Sequence, residues 1–136
     1  MIYNCTPHKI IIRNQDGTDT TFEPCGSVAR VETQTRKIAE YGDIEIRYTE
    51  FGKITGLPEG LIFSDLVIVS SVVAQAAEDT NGIGCTLVAP DTGPTAIREN
   101  GQIVAVTGFQ MFYEPVCGDC GAINPGWEAF CHNCGI

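Results

Sequence analysis

The sequence predicts an α+β fold that is predominantly antiparallel β, with one or two short helices, followed by a small cysteine-rich module. Short segments of alternating apolar and polar residues, separated by glycine, proline and asparagine turns, predict the strands. A continuous apolar segment near the middle of the chain predicts a buried strand, and closely spaced cysteines mark the C-terminal module. With 136 residues, 43% of them hydrophobic, the chain can form a core without disulfide bonds.

The N-terminal half is predicted to contain short strands joined by tight turns. The predicted strands cover residues 9–13, 18–22, 28–35 and 44–49. Residues 14–17 are expected to form the first turn, since Asn, Asp and Gly favour turn conformations. Strand 44–49 alternates apolar and polar residues, which predicts that one of its faces is buried. We expect residues 36–42 to be a connection, and Gly52 to begin a series of turns.

The second half is predicted to contain the central strand, a short helix and a hairpin. Residues 61–63 and 66–69 form the most apolar region of the chain, and this region is expected to be a buried central strand. Ser70 or Ser71 is expected to cap a helix over residues 72–78. Further predicted elements are a strand at 85–89, a hairpin over 96–106 and an aromatic connector at 109–113. Asn100 and Gly101 are typical of the turn of such a hairpin.

Four cysteines near the C terminus form two Cys-x-x-Cys pairs, each followed by glycine. They are Cys117, Cys120, Cys131 and Cys134. Ten residues separate the pairs, enough for a short hairpin, so that four thiolates can converge on one tetrahedral ion. A glycine after each pair accepts the positive φ that such a turn requires. We therefore predict a structural zinc ribbon over residues 113–136, preceded by a β-rich domain over residues 1–112.

Iron is the alternative metal for this site, because tetrahedral thiolates also bind iron. Each cysteine pair resembles those of the rubredoxins, whose two pairs are much farther apart in sequence. His132 lies inside the second pair, and we expect it at the surface or beside the ligands rather than on the metal. Zinc is the prediction.

The ribbon is not expected to bind RNA. With Asn124, Pro125 and Phe130 it resembles small zinc ribbons, and its spacing resembles the Ran-binding-protein type of zinc finger, some of which read single-stranded RNA. Fingers of that kind place arginines on the bases. Residues 114–136 contain no Lys or Arg and three acidic residues. Trp127 has two interpretations, an anchor for a protein partner or a cover for the small core of the ribbon.

Charge and cysteine content exclude several classes of protein. The chain has 8 basic and 17 acidic residues and a formal net charge of −9, so we expect no nucleic-acid partner and no membrane partner. Seven cysteines, an odd number, do not suit a secreted disulfide scaffold but suit a reducing cytoplasm. The N-terminal residues do not resemble a signal peptide, and the apolar segment 61–77 is interrupted by polar residues.

No catalytic motif is recognisable, so we expect that the protein is not an enzyme. His8 follows Thr-Pro near the N terminus and is expected to occupy a turn rather than to act as a base. Cys25 and Cys85 lie outside any known nucleophile motif and are expected to be small buried thiols. The segment 91–93 is interpreted as turn chemistry in the absence of further metal or phosphate ligands.

Arginines on the strand-rich domain are the remaining candidates for binding. Arg30 and Arg47 lie in predicted strands, and Arg98 lies close to the turn 91–94. A guanidinium group can hold a phosphate through two parallel hydrogen bonds, even in an acidic protein. The alternative for each arginine is a solvated ion pair with a nearby acid.

Five segments of residues 1–110 resemble a widespread set of small proteins encoded by bacteriophages. They are Tyr-Asn-Cys-Thr-Pro-His at 3–8, Gly-Ser-Val-Ala-Arg-Val at 26–31, Phe-Gly-Lys-Ile-Thr-Gly-Leu-Pro at 51–58, Val-Ser-Ser-Val-Val-Ala-Gln-Ala at 69–76 and Pro-Asp-Thr-Gly-Pro-Thr-Ala-Ile-Arg at 90–98. Within that set the chain resembles the first family of Thoeris anti-defence proteins. The resemblance does not include the ribbon.

This resemblance implies a function for the β-rich domain. Proteins of that family are non-enzymatic sponges that sequester cyclic ADP-ribose signals made by bacterial TIR proteins, some also hold cyclic trinucleotides, and they assemble as dimers or higher oligomers. The resemblance matches Arg30 and Arg98 to ligand-binding positions, and the complete set of predicted ligand-binding residues is Arg30, Arg47, Asp91, Thr92 and Arg98. Tyr48, Phe51 or Phe109 would supply a flat face for adenine.

The expected function is therefore the binding and sequestration of a cyclic nucleotide signal by a homo-oligomer in the cytoplasm of a bacterial host. The alternative is an adaptor protein, in which the β-rich domain positions the zinc ribbon for a protein partner.

Overall fold

The structure, a computed structural model, describes residues 1–62, 64–77, 85–112 and 120–122. Within these residues the protein is mostly β, with one short helix. The elements in chain order are β1 (Ile2–Asn4), β2 (Ile10–Arg13), β3 (Asp19–Phe22), β4 (Arg30–Tyr41), β5 (Ile44–Thr55), β6 (Leu66–Ile68), α1 (Ser71–Ala76), β7 (Thr86–Pro90), β8 (Ile97–Glu99), β9 (Gln102–Ala105) and β10 (Phe109–Gln110). The predicted zinc ribbon lies outside the described residues, apart from 120–122.

A four-stranded mixed sheet forms the centre of the fold, with strand order β1-β6-β7-β10. The prediction of a buried central strand is confirmed at β6, where Val67 and Ile68 have no exposed surface, but not at residues 61–62, which lie outside the strands and where Ile62 is 60% exposed. The prediction of mainly antiparallel pairing holds for β7 with β10 and for the three two-stranded hairpins, whereas β1, β6 and β7 pair in parallel, which the sequence does not predict. The segment between β6 and β7 contains α1 and is long enough to return the chain for parallel pairing.

Helix α1 covers one face of this sheet and confirms the predicted cap. The Ser70 hydroxyl accepts a hydrogen bond from the backbone N–H of Val73, at 3.4 Å between N and O. A helix of six residues is not stable alone in water, so it must pack against other elements. Val73 and Ala74 are buried in the core cluster together with Val67 and Leu87 of the sheet. The helix also contacts strands β4 and β5.

The side chain of Asn4 joins the sheet to the hairpin formed by β2 and β3. It is 2% exposed, and both of its polar atoms are fully used. Its Nδ2 donates hydrogen bonds to the carbonyl oxygens of His8, at 2.8 Å, and Phe22, at 2.9 Å. Its Oδ1 accepts from the backbone N–H of Thr6, at 3.0 Å, and from the Thr6 hydroxyl, at 2.7 Å. His8 therefore lies in a turn, as expected, and its carbonyl helps to fix the hairpin.

The hairpin formed by β8 and β9 has the predicted turn. Asn100 and Gly101 have φ angles of 52° and 79°, the positive values that a type I′ turn requires. The end of β9 extends into a bridge with the β2–β3 hairpin. The Arg13 N–H donates to the Val106 carbonyl at 2.8 Å, and the Val106 N–H donates to the Ile11 carbonyl at 2.9 Å.

Strands β4 and β5 form a long two-stranded hairpin, residues 30–55, which we call the arm. Each strand has 12 residues. The expectation of a connection at 36–42 is wrong, because residues 36–41 belong to β4, and Gly52 lies inside β5 instead of beginning turns. The expectation of a half-buried strand at 44–49 is also wrong, since both faces are exposed there. Alternation predicts which residues share a face, but only tertiary contacts decide whether that face is covered.

Two further features are the edge strand of the sheet and the length of the helix. Residues 109 and 110, predicted as part of a connector, form strand β10 at the edge of the sheet. In the part of the chain that the structure describes, no helix is long and apolar enough to cross a membrane.

Replacing Asn4 with Asp tests the central role of its hydrogen bonds. The carbonyl oxygens of His8 and Phe22 would lose their donors and face a buried carboxylate, so we expect a loss of about 3 kcal/mol or more in the free energy of unfolding. Urea denaturation followed by circular dichroism measures this loss. Asn14→Asp is the matched control, because Asn14 bonds the hydroxyls of Thr18 and Thr20 at an exposed turn, and its effect should stay below about 0.5 kcal/mol. Equal effects of the two variants would contradict the assigned role.

Candidate functional site

A cavity of about 370 Å³ lies between β2, β9 and the segment that follows β7. Ile10 and Ile11 form one wall, and Ile103 forms another. The two hydrogen bonds that join Val106 to Ile11 and Arg13 hold these walls together. The walls are therefore apolar and fixed by backbone pairing, a common property of small-molecule sites.

Two polar residues, Lys9 and Thr92, also line the cavity. Lys9 precedes β2, and its side chain has no carboxylate within ion-pair distance in the described part of the chain. Thr92 lies in the turn after β7 and contributes a hydroxyl group. A cation without an acidic partner beside an apolar wall is suited to an anionic ligand that also has an apolar part.

The structure brings Asp91, Thr92 and Arg98 together, as the sequence predicts. The Asp91 carboxylate accepts a hydrogen bond from the backbone N–H of Gly93 at 3.0 Å, which closes a tight turn. The Arg98 guanidinium donates to the Thr92 carbonyl at 3.0 Å. Arg98 is exposed, so part of its donor set remains open to solvent. Asp91 and Arg98 thus position the turn that carries Thr92 to the cavity.

The other two predicted ligand-binding arginines lie on the arm. Arg30 pairs with Thr55 at the base of the arm, and Arg47 pairs with Lys37 nearer its tip. At about 3.3 Å per residue their backbones are roughly 20 Å apart. Arg47 also forms an exposed ion pair with Glu45, at 2.6 Å. Arg30 and Arg47 therefore cannot bind the same small molecule within one chain.

The three aromatic residues proposed for adenine stacking are also separated. Phe109 packs against Phe22, with ring centroids 6.1 Å apart, and so fastens the β2–β3 hairpin to β10. Tyr48 and Phe51 lie on the arm, and the Arg36 guanidinium lies 5.7 Å from the centre of the Tyr48 ring. None of these rings is among the residues that line the cavity beside Lys9.

A larger cavity of about 500 Å³ lies on the arm, but its charge does not suit an anion. Glu32 and Glu50 are part of its lining, together with Phe51. Two carboxylates without a cation in that lining would repel a phosphate group. We therefore regard the cavity beside Lys9 as the candidate site.

Three cysteines of the β-rich domain lie near one another. The Sγ atoms of Cys5 and Cys25 are 3.5 Å apart. Burial, followed by the hydrogen bond with Cys25, raises the pKa of Cys5 to about 12. Burial and the charge of Asp65 raise the pKa of Cys85 to about 11. Both thiols are therefore protonated at neutral pH. The expectation that Cys25 is buried is wrong, because the residue follows the irregular segment after β3 and is exposed; the same expectation holds only in part for Cys85, which is half-buried.

The metal ligands predicted from the sequence can be described only at Cys120, since Cys117, Cys131 and Cys134 lie outside the described residues. Cys120 is exposed, and the following Gly121 has a φ angle of 74°. This positive φ is the conformation predicted for a glycine after a metal-binding cysteine pair. Thiolate donors suit a tetrahedral zinc ion, and the backbone at Gly121 has the conformation that the predicted site requires.

Comparisons of the chain with models of protein families, with curated proteins and with solved structures found no match. The residues of the chain itself therefore carry the functional interpretation.

Alkylation by iodoacetamide tests the environments of the three cysteines. At pH 8 we expect Cys25 to react in the native protein, because it is exposed. Cys5 and Cys85 should react at least about a hundredfold more slowly in the native protein than in urea, since a raised pKa lowers the thiolate fraction and burial limits access. Peptide mapping by mass spectrometry measures each rate. Native rates for Cys5 and Cys85 equal to their rates in urea would contradict these environments.

Proposed function

We propose that the protein is a non-enzymatic, phage-encoded binding protein that sequesters a cyclic nucleotide signal, a cyclic ADP-ribose isomer or a cyclic oligonucleotide, in the cytoplasm of the bacterial host. The observation that carries this proposal is the cavity beside Lys9. Its volume lies in the range of about 300–1,000 Å³ that is common for small-molecule sites.

The chemistry of the cavity matches the two parts of such a ligand. A nucleotide combines a flat base with a phosphate or pyrophosphate. Ile10, Ile11 and Ile103 offer apolar surface to the base. Lys9 offers an ammonium group and Thr92 a hydroxyl group to the phosphate oxygens. Arg98, which already bonds the Thr92 carbonyl, adds a second positive charge beside Thr92.

The residues that line the cavity also agree with a protein that holds its ligand without converting it chemically. The described residues around the cavity include no His, Cys, Asp or Glu. Acid–base and nucleophilic chemistry on a bound phosphate most often uses such groups, and we assign Lys9 and Thr92, which do line the cavity, to binding. The site therefore suits a protein that holds its ligand unaltered.

Calorimetry with 1″–2′ and 1″–3′ cyclic ADP-ribose and with cyclic trinucleotides tests the proposal. We expect at least one of them to bind at micromolar protein concentration or below. Lys9→Ala should weaken that binding by about tenfold or more, the value of one hydrogen bond to a charged group. Lys53→Ala, which removes the same charge from the arm, is the matched control and should leave the affinity unchanged.

Two results would overturn the proposal. One is the absence of binding to every one of these compounds by the full chain. The other is chemical conversion of the bound compound, seen by mass spectrometry of material released from the denatured protein, because conversion would indicate an enzyme.

We further propose that Cys117, Cys120, Cys131 and Cys134 hold one structural zinc ion, on the basis of their spacing and of the backbone at Gly121. Metal analysis of the purified chain should find about one zinc per chain. Cys131→Ser should lower this ratio strongly. Cys25→Ser is the control, because it removes a thiol of the β-rich domain, and it should leave the ratio unchanged. Iron in place of zinc, or an unchanged ratio in Cys131→Ser, would contradict the assignment.

A further inference from the structure

The arm has one apolar face that is exposed to solvent. Directly opposite residues of an antiparallel pair point to the same side of a sheet. The apolar face is defined here by the cross-strand pairs of the outer arm that carry large hydrophobic side chains. These pairs are Tyr41 with Ile44, Ala39 with Ile46, and Arg36 with Tyr48. Tyr41 is 80% exposed and Ile44 64%, so the side chains near the tip contact little of the described protein.

On the opposite face of the outer arm, the pairs from Thr35 with Thr49 to the tip are polar and satisfy their own charges, whereas Phe51, paired with Thr33 nearer the base, is apolar and 42% exposed on that face. Lys37 forms an ion pair with Glu40, and Arg47 forms one with Glu45. The hydroxyl groups of Thr35 and Thr49 are hydrogen-bonded to each other at 3.0 Å. This face needs no partner, because water and its own pairs satisfy it. The outer arm is therefore amphipathic, although neither face is buried.

The base of the arm is fixed to the rest of the protein. Val31 and Ile54 pack against the core cluster. Gly56, which follows β5, has a φ angle of 83° and lies so close to the Val28 carbonyl that a side chain there would collide with it. The outer arm thus projects from a fixed base. A two-stranded ribbon is at most marginally stable in water unless another surface packs on it.

The distribution of charge along the chain indicates which partner packs against the arm. The arm contains five basic and five acidic residues, so it has no net charge. Of the eight basic residues in the chain, three lie elsewhere, with 12 of the 17 acidic residues, so the net charge of −9 resides outside the arm. Contact between two copies through the remainder of the chain is opposed on average by this negative charge, whereas contact between two arms brings surfaces of no net charge together.

We propose that the apolar face of the arm is a self-association surface that packs against the same face of a second copy of this chain. The sequence-based expectation of a homo-oligomer named no surface; this assignment places the contact on the arm. It is independent of the proposed ligand site, which lies between β2 and β9.

The size of the apolar face sets the expected strength of this dimer. The side chains of Tyr41, Ile44, Ile46 and Tyr48 expose roughly 500 Å², near the upper end of the apolar patches found on monomers. A stable complex commonly buries about 800 Å² on each partner. Two apolar faces alone fall somewhat short of that area. The dimer should therefore dissociate at concentrations on the order of micromolar.

Sedimentation of the full chain between 1 and 100 µM tests the surface. The wild type should shift from monomer to dimer over this range. Ile46→Asp places a carboxylate in the middle of the apolar face and should raise the dimer dissociation constant by at least about a hundredfold, because the carboxylate must lose its water when the two faces pack together. Thr49→Asp, on the polar face of the same strand, is the matched control and should dimerise as the wild type does.

Two further measurements keep the test decisive. Hydrogen exchange of the wild type should show protection of the arm amides at 100 µM that is lost at 1 µM, which tests the surface even if Ile46→Asp fails to fold. Flotation with phosphatidylcholine vesicles containing phosphatidylglycerol distinguishes a membrane as the occupant. A wild type that stays monomeric at 100 µM, a dimer unaffected by Ile46→Asp with unchanged arm exchange, or vesicle binding that requires Ile46 would each overturn the proposal.

Discussion

The arrangement of the β-rich domain depends on the hydrogen bonds of one buried side chain, that of Asn4. Its amide donates to the carbonyls of two segments that are distant in sequence, at His8 and Phe22, while its carbonyl oxygen closes the turn at Thr6. The backbone carbonyl of Asn4 also accepts from the Cys25 N–H at 2.8 Å. Strand β2 lies between these anchor points and forms one wall of the candidate cavity. The position of that wall relative to the sheet therefore depends on Asn4, although this residue does not line the cavity.

The sequence predicts those elements whose signals are local. The positive φ of Asn100, the cap at Ser70 and the buried strand β6 each follow from a few neighbouring residues. The parallel pairing of β1, β6 and β7 and the small strand β10 depend on contacts distant in sequence, which alternation does not encode. The most informative difference between prediction and structure concerns the arm. Its tip residues alternate as a half-buried strand does, but burial requires a covering surface, and the described residues of the same chain do not provide one.

The candidate site was only partly predictable for a similar reason. The sequence correctly associates Arg98 with the turn that contains Asp91 and Thr92, because these residues are close in the chain. It cannot place Arg30 and Arg47, whose separation follows from the length of the arm. The sequence pattern does not predict Lys9 as a ligand-binding residue, because Lys9 is the first residue of a predicted strand. Its signal is compositional, since it is one of only three basic residues outside the arm.

The net charge of −9 opposes both proposed interactions, and the two proposed surfaces reduce that opposition in different ways. At the cavity, Lys9 and Arg98 attract a phosphate at short range, where salt screens weakly, against the longer-range repulsion of the surrounding acids, which salt screens more strongly. At the arm, the charges are balanced and the contact is apolar, so salt screens only the repulsion between the two acidic bodies. Added salt should therefore strengthen self-association, whereas at the cavity the screened repulsion offsets the screened attraction. This difference follows from the segregation of charge between the arm and the rest of the protein.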